Sequence, residues 1–226
     1  MKNHLLIEKF IYSCSHELRA PISSIQGLVR IAEYYPRHDE INRCLAMIGG
    51  CTDNILGLIS KMELFMKNNR LPVNIGAYDP MDLIDETRST FATQLDACGI
   101  TLVSGKHSPG LWSIDKKRVS DLINHVVANS ISFYDEKKEQ KNITITVSAG
   151  KRNTIMEIKD NGLGIEESQL SRVFDIFFRG STETIGHGMG LFLAKELADK
   201  MGATIKCKSK INEGTTIAIS FPNAGL

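Results

Sequence analysis

The chain has 226 residues, 42% hydrophobic and 23% charged, with 27 Lys and Arg against 26 Asp and Glu for a net charge of +1. That is the make-up of an ordinary globular protein, large enough for one sizeable domain or two smaller ones. With no block of like charge, it offers nothing electrostatic to nucleic acid or to a membrane surface. No apolar run approaches the roughly 20 residues that span a bilayer, and no signal peptide is visible. Five cysteines, Cys14, Cys44, Cys51, Cys98 and Cys207, are odd in number and lack metal-ligand spacing. They read as reduced thiols of a cytoplasmic protein, with Cys14 a packing residue of its helix.

Residues 4–34 predict a helix with Leu6, Phe10, Leu18, Ile22, Ile25, Leu28, Val29 and Ala32 facing inward, and Pro21 as a kink. Tyr35-Pro36-Arg37-His38-Asp39 breaks it, with Asp39 as the N-cap of the next helix. Over 40–67, Ile41, Leu45, Ile48, Thr52, Ile55, Ile59, Met62 and Met66 alternate steps of four and three, a heptad seam. Two long helices on a short loop make a hairpin that cannot bury both faces alone, so a dimeric four-helix bundle is expected. Asn68-Asn69-Arg70-Leu71-Pro72 reads as a linker, giving domains 1–70 and 71–226.

Beyond the linker the pattern mixes helix and strand. Helices are predicted from Asp79-Pro80 to about Ala97, from Asp115 to about Phe133, and over Gly188–Met201. Strands are predicted at Ile100–Val103, Leu111–Ile114, Ile143–Val147 and Thr154–Lys159, with a final pair at 203–208 and 215–221. Residues 161–187 are glycine-punctuated and partly irregular. The expected fold class is α plus α/β: a helical hairpin, then an α/β sandwich with helices on one face of a sheet.

Several residues in this frame are candidates for chemistry. His16, on the first helix, has Glu17 beside it; a carboxylate can hold one ring nitrogen protonated and leave the other as a nucleophile. Asp160-Asn161-Gly162-Leu163-Gly164-Ile165 follows a strand. It reads either as a tight turn or as a buried carboxylate that accepts a base's exocyclic amine, with Gly162 and Gly164 admitting the base. Gly186-His187-Gly188-Met189-Gly190-Leu191 opens a helix, a place for phosphate. It does not follow a strand early in a βαβ unit, which rules out a Rossmann site, and His187 is given no chemistry. His125 and Asn129 lie one turn apart on one helix face, where Asn129 offers an oxygen to Mg²⁺; the alternative is a polar stripe. Arg179 is a candidate to neutralise a terminal phosphate, and the aromatic residues before it read as packing.

Taken together, these segments resemble the core of a sensor histidine kinase. Ser15-His16-Glu17-Leu18-Arg19-Ala20-Pro21 resembles the H box of that family, His125–Asn129 the N box, and Asp160–Ile165 the G1 box. Phe174–Arg179 resembles the F box, Gly186–Leu191 the G2 box, and Gly214-Thr215 the last glycine motif. The resemblance implies a dimerisation and phosphotransfer hairpin followed by a Bergerat-type ATP-binding domain, with ATP and Mg²⁺ as cofactors. It implies His16 as phosphoacceptor, Glu17 as its base, Asp160 as adenine contact, Asn129 as Mg²⁺ ligand and 166–187 as the lid. Gly162, Gly164, Gly186, Gly188, Gly190, Thr215, His125 and Arg179 would line the nucleotide site. The partners implied are a second copy of the chain and a response-regulator receiver domain.

The chain departs from the family pattern at three positions. His125 stands for the first Asn of the N box, Ser132 for a phosphate-directed Lys or Arg, and Ala20 for the polar residue linked to phosphatase activity. A catalytically weak scaffold, a chaperone- or topoisomerase-type ATPase and a plain coiled coil are the other readings. The ATPase leaves His16 and the heptads unexplained, and the coiled coil leaves the glycine motifs. With Met1 only fifteen residues before His16, the chain reads as the excised core of a longer sensor.

Overall fold

The computed structural model describes residues 2–35, 37–108, 110–180 and 187–223, with side chains from Ile7 onward. The chain divides into two compact units, Met1–Lys67 and Asn68–Leu226.

The first unit consists of helix α1 (Lys2–Tyr34) and most of helix α2 (His38–Arg70). Phe10, early in α1, stacks on Phe65, late in α2, with ring centroids 3.9 Å apart, so the helices run antiparallel. α1 continues through Pro21. α2 starts at His38, placing Asp39 and Glu40 in its first turn, where carboxylates suit the helix dipole. Asp39 is therefore not the cap expected from the sequence.

The hairpin core is narrower than the sequence pattern suggests. Phe10, Cys14 and Leu28 on α1 meet Cys44, Leu58 and Phe65 on α2, all buried. The expected α2 seam splits into two stripes. Ile41, Ile48, Ile55 and Met62 are half-buried beside the core, whereas Leu45, Thr52 and Ile59 are exposed in the single chain, and Met66 at the end of the second stripe is half-buried. On α1, Ile22 and Val29 also face outward, against expectation, and Cys14 takes an inward place.

The second unit runs β1 (Gly76–Tyr78), α3 (Pro80–Cys98), β2 (Ile100–His107), β3 (Trp112–Ile114), α4 (Lys116–Ser132), β4 (Lys141–Ala149) and β5 (Asn153–Asp160). A 3₁₀ turn (Glu167–Arg172), α5 (Gly190–Lys200), β6 (Thr204–Lys210) and β7 (Gly214–Pro222) complete it. Asp79 caps α3 by accepting from the Met81 amide at 2.9 Å, Pro80 fits its first turn, and Gly99 closes it at φ 63°. The main sheet has the order β2-β4-β5-β7-β6, with β2 and β4 parallel and the other pairs antiparallel. β1 pairs with β3 in a small separate ribbon.

Strand alternation explains why only one face of the sheet is covered. On β5, Thr154, Met156, Ile158 and Asp160 are buried and the residues between them are exposed. Ile143, Ile145, Val147, Ile217 and Ile219 share the buried face with Val119, Leu122, Ile123, Val126 and Val127 of α4 and Leu193, Ala194 and Leu197 of α5. This is the expected sandwich.

The segment expected to be a linker is fastened to this unit. Arg118 is buried and donates to Asn68 Oδ1 at 2.9 Å, to the Leu71 carbonyl at 2.8 Å and to the Pro72 carbonyl at 3.0 Å, and it pairs with Asp115. Burial alone would raise the Asp115 carboxyl. The amides of Asn74 and Arg118 and the Arg118 guanidinium outweigh it and hold Asp115 below the usual carboxylate range. Asn68 Nδ2 donates to the Glu196 carbonyl at 2.9 Å, and Lys200 Nζ to that of Asn69 at 3.1 Å. No helix among the described residues is long and apolar enough to cross a membrane.

Candidate functional site

β5 ends on Asp160, and strand alternation turns its carboxylate to the covered face. Oδ1 accepts from the amides of Gly162 at 2.9 Å and Thr215 at 3.0 Å, and Oδ2 accepts the Ser130 hydroxyl at 2.9 Å. Each carboxylate oxygen offers about two acceptor positions. Among the described residues Oδ1 is filled, and Oδ2 keeps one position for a further donor. Burial pushes the carboxyl above its ordinary range, against the opposing pull of the Gly162 amide, the Ser130 hydroxyl, the Thr215 amide and the Lys138 charge. A buried acceptor with a spare lone pair is suited to reading an amine.

The glycines around it stand close to other backbone segments. A Cβ on Gly162 would stand 2.4 Å from the Phe133 carbonyl oxygen. On Gly164, at φ 73°, it would stand 2.0 Å from that of Lys210. Beside the ligand access expected of them, their bareness lets the turn approach the end of α4 and the β6–β7 hairpin. Gly214, at φ 112°, faces the Asp160 carbonyl in the same way. Ser209 Oγ accepts from the Ile165 amide at 2.9 Å and lies 2.9 Å from Thr215 Oγ1, joining the far end of the turn to the same hairpin.

On α4, His125 and Asn129 are half-buried, and Asn129 directly precedes the Ser130 that holds Asp160. The His125 carbonyl oxygen lies 3.7 Å from the Cβ position of Gly190, the first residue of α5. α5 thus starts two residues later than expected, beside the His125 turn, with no side-chain cap. Gly188, at φ 63°, packs against the Phe178 carbonyl. Phe174, Phe177 and Phe178 are half-buried, and the Arg172 guanidinium lies 4.8 Å from the Phe178 ring centroid, while Arg179 is exposed. Gly186 and the 181–186 part of the expected lid lie outside the described residues. The Ser132 hydroxyl turns back to the Ala128 carbonyl at 2.9 Å. Among the described residues no group of three or more His, Cys, Asp or Glu could hold a metal. A cation here would lean on the Asn129 oxygen and on the ligand's own oxygens.

In the first unit, His16 Nδ1 lies 3.7 Å from Glu17 Oε1, with 69% of the imidazole side chain exposed. That distance suits a charge interaction but is too long for a hydrogen bond. Nε2 is left as the nitrogen away from the carboxylate. Cys14 is buried, and burial, with Glu17 adding to it, pushes its thiol up to about 11. It is a packing residue and not a nucleophile.

Sequence reasoning missed Ser130. Its signal was a hydroxyl continuing the apolar stripe Val119, Ile123, Val126, Val127 on α4, where an unpaired polar group would be costly.

Two family models match the chain. The His Kinase A (phospho-acceptor) domain covers residues 6–70, and the histidine kinase-, DNA gyrase B- and HSP90-like ATPase covers residues 114–225. Sensor protein SrrB of Staphylococcus aureus (strain NCTC 8325 / PS 47) is 28% identical over 221 residues, covering 94% of this chain and 37% of SrrB. The chain thus spans little more than a third of that relative. Among solved structures, histidine kinase ThkA in complex with response regulator protein TrrA has a TM-score of 0.77 at 17% identity, covering 99% of this chain and 64% of that one. The histidine kinase AdeS of Acinetobacter baumannii has a TM-score of 0.72 at 18% identity, covering 93% and 98%. Full-length ShkA in complex with AMPPNP has a TM-score of 0.68 at 19% identity, covering 96% and 47%. At these identities the likeness speaks for the fold. With the phospho-acceptor model on the hairpin that carries His16 and the ATPase model on the unit that carries Asp160, the chain belongs to the histidine kinase family.

Proposed function

We propose that the chain is the homodimeric, cytoplasmic catalytic core of a two-component sensor, transferring the γ-phosphoryl group of ATP to His16 and from there to an aspartate of a response regulator. One pairing within the chain carries this reading: an exposed imidazole beside a carboxylate on a helical hairpin, and a buried carboxylate with one open acceptor position in the following unit.

Asp160 Oδ2 accepts the exocyclic amine of adenine. His125, Asn129, Arg179, Thr215 and the segment from Gly186 to Gly190 at the start of α5 bound the nucleotide. Asn129 holds Mg²⁺, which when bound spreads and neutralises phosphate charge. His16 Nε2 attacks the γ-phosphorus, the bond from phosphorus to the bridging oxygen breaks, and ADP leaves with that electron pair. Glu17 takes the Nδ1 proton, so the phosphorylated ring ends neutral; such a base is worth about 10²–10⁴-fold. The AMPPNP complex of ShkA and the TrrA complex of ThkA support nucleotide and regulator as ligands.

The dimer follows from the outward stripe of the hairpin: Ile11, Ile22 and Val29 on α1 with Leu45, Leu56 and Ile59 on α2. A second copy of the same hairpin would cover it. Ala20, exposed one turn beyond His16, has no side-chain donor or acceptor to hold a water, so regulator dephosphorylation is expected to be weak.

The test is incubation with γ-labelled ATP and Mg²⁺. Acid-labile, base-stable label is expected on the unmodified chain and none on His16→Ala. Label persisting on that variant would remove His16 from the reaction.

A further inference from the structure

Lys138 sits between α4 and β4, outside every motif in the chain. Its side chain is half-buried, and its Nζ points at three backbone carbonyls. Nζ donates to the Asn161 oxygen at 2.5 Å and to the Asn212 oxygen at 2.8 Å, and lies 3.4 Å from the Gly162 oxygen. An ammonium has three protons and no acceptor capacity, so these carbonyls account for all of it.

The carbonyls belong to two turns far apart in sequence. Asn161 and Gly162 form the turn after β5, and Asn212 lies in the β6–β7 turn, in the left-handed region at φ 62°. The Asn212 amide also donates to the Leu163 carbonyl at 2.7 Å. The two amides that hold Asp160 Oδ1 come one from each turn, Gly162 from the first and Thr215 from just beyond the second. We propose that Lys138 is the positioning residue of Asp160: its ammonium fastens the two turns together, and so fixes the one open acceptor of Oδ2 for the base. This rests on the nucleotide reading above for its purpose, but the clamp itself needs no nucleotide to be seen.

The charge contributes as well. Asp160 is faced by Ser130 from α4, by the Thr215 amide from β7, by Lys138 from the α4–β4 loop and by Cys207 from β6. Burial, with the Asp160 charge adding to it, pushes the Cys207 thiol up to about 11, so it stays neutral. Tyr134 and, from β4, Lys141 line the same pocket; among the cations it is the Lys138 charge that acts on Asp160 and favours the ionised carboxylate against burial.

The experiment follows the Asp160 carboxyl carbon by ¹³C NMR across pH in the nucleotide-free full chain, for the unmodified protein, Lys138→Met and Lys138→Arg. Met keeps the apolar stem and removes charge and donors. Its titration midpoint is expected at higher pH, with Arg returning it toward the unmodified value. Lys138→Gln, neutral but able to donate, carries the same test if the Met variant does not fold. In parallel, ATP affinity by calorimetry at pH 7 is expected to fall about tenfold for Lys138→Met, as loss of charge-assisted hydrogen bonds implies. An unchanged midpoint in the neutral variants, or unchanged affinity, overturns the proposal. If the unmodified chain binds no adenine nucleotide, the nucleotide reading fails, and the titration still decides the clamp.

Discussion

Replacing Asp160 with Asn and with Ala separates what its carboxylate does for binding from what it does for the fold. Alanine strands the Gly162 and Thr215 amides, which both point at Oδ1, while the Ser130 hydroxyl can rotate to another acceptor. A stranded buried amide costs about 1–3 kcal/mol, so two come to about 4 kcal/mol. That is a large part of the roughly 5–15 kcal/mol that holds a domain folded. At about 2–4 °C per kcal/mol for a chain of this size, Tm should fall on the order of 10 °C. Asparagine keeps an oxygen for both amides and turns its NH₂ toward Ser130, whose hydroxyl can accept instead.

The pH dependence has a definite sign. Burial raises the Asp160 carboxyl above its ordinary value, so the folded chain binds that proton more tightly than the unfolded one. Stability of the unmodified chain therefore falls as pH rises from the ordinary aspartate range through the raised folded value. Asparagine does not titrate, so its relative advantage should open across that window and persist to neutral pH. The same variant presents an N–H where adenine presents an N–H, and ATP binding should be lost. Thermal unfolding by circular dichroism from pH 4 to 8, with calorimetry of ATP binding, checks both halves. Retained ATP affinity in Asp160→Asn, or a Tm as low as that of Asp160→Ala, would refute the reasoning.

Other variants test neighbouring features. Asp115 is held below the usual range, so its contribution is present above the ordinary aspartate pKa and lost as pH falls through the folded value. Asp115→Asn should destabilise by about 3 kcal/mol at pH 7, and the deficit should shrink in acid; a deficit constant down to pH 3 in urea unfolding would contradict this. Gly164→Ala should cost about 3 kcal/mol, combining left-handed strain with a backbone collision, and an unchanged Tm by calorimetry would show the approach to Lys210 is not close. Leu45→Lys and Ile59→Lys, exposed in the single hairpin, should yield helical monomers by analytical ultracentrifugation. Dimers that survive both changes would place the interface elsewhere.

Much of the fold was legible because long periods leave strong signals. Both helices of the hairpin, the helix starts at Asp79-Pro80 and Asp115 and the alternation of β5 could all be read from the chain. The heptads could not say which apolar stripe meets the other helix of the same hairpin, because Ile48 and Ile59 look alike until the partner helix is placed. β1 is three residues of Gly, Ala and Tyr, too short and too mixed to alternate. At the site, Asp160 was legible as the acidic end of a strand. Ser130 left one clue in an apolar stripe, and Lys138 none, since its Asn212 partner is 74 residues away. Gly162 and Gly164 were seen, but what they approach depends on turns that only the folded chain brings together.

Helix α2 is continuous to Arg70, yet its last turn is bonded to Arg118, Glu196 and Lys200 of the sheet unit. Cooperative units in proteins follow such bonding more than helix boundaries. The amides of α2 should therefore exchange with solvent in two classes, those before Asn68 opening with the hairpin and those after it with the sheet. One unbroken helix would then behave as two pieces in time, the hairpin loosening or unwinding while the last turn of its own helix stays shut.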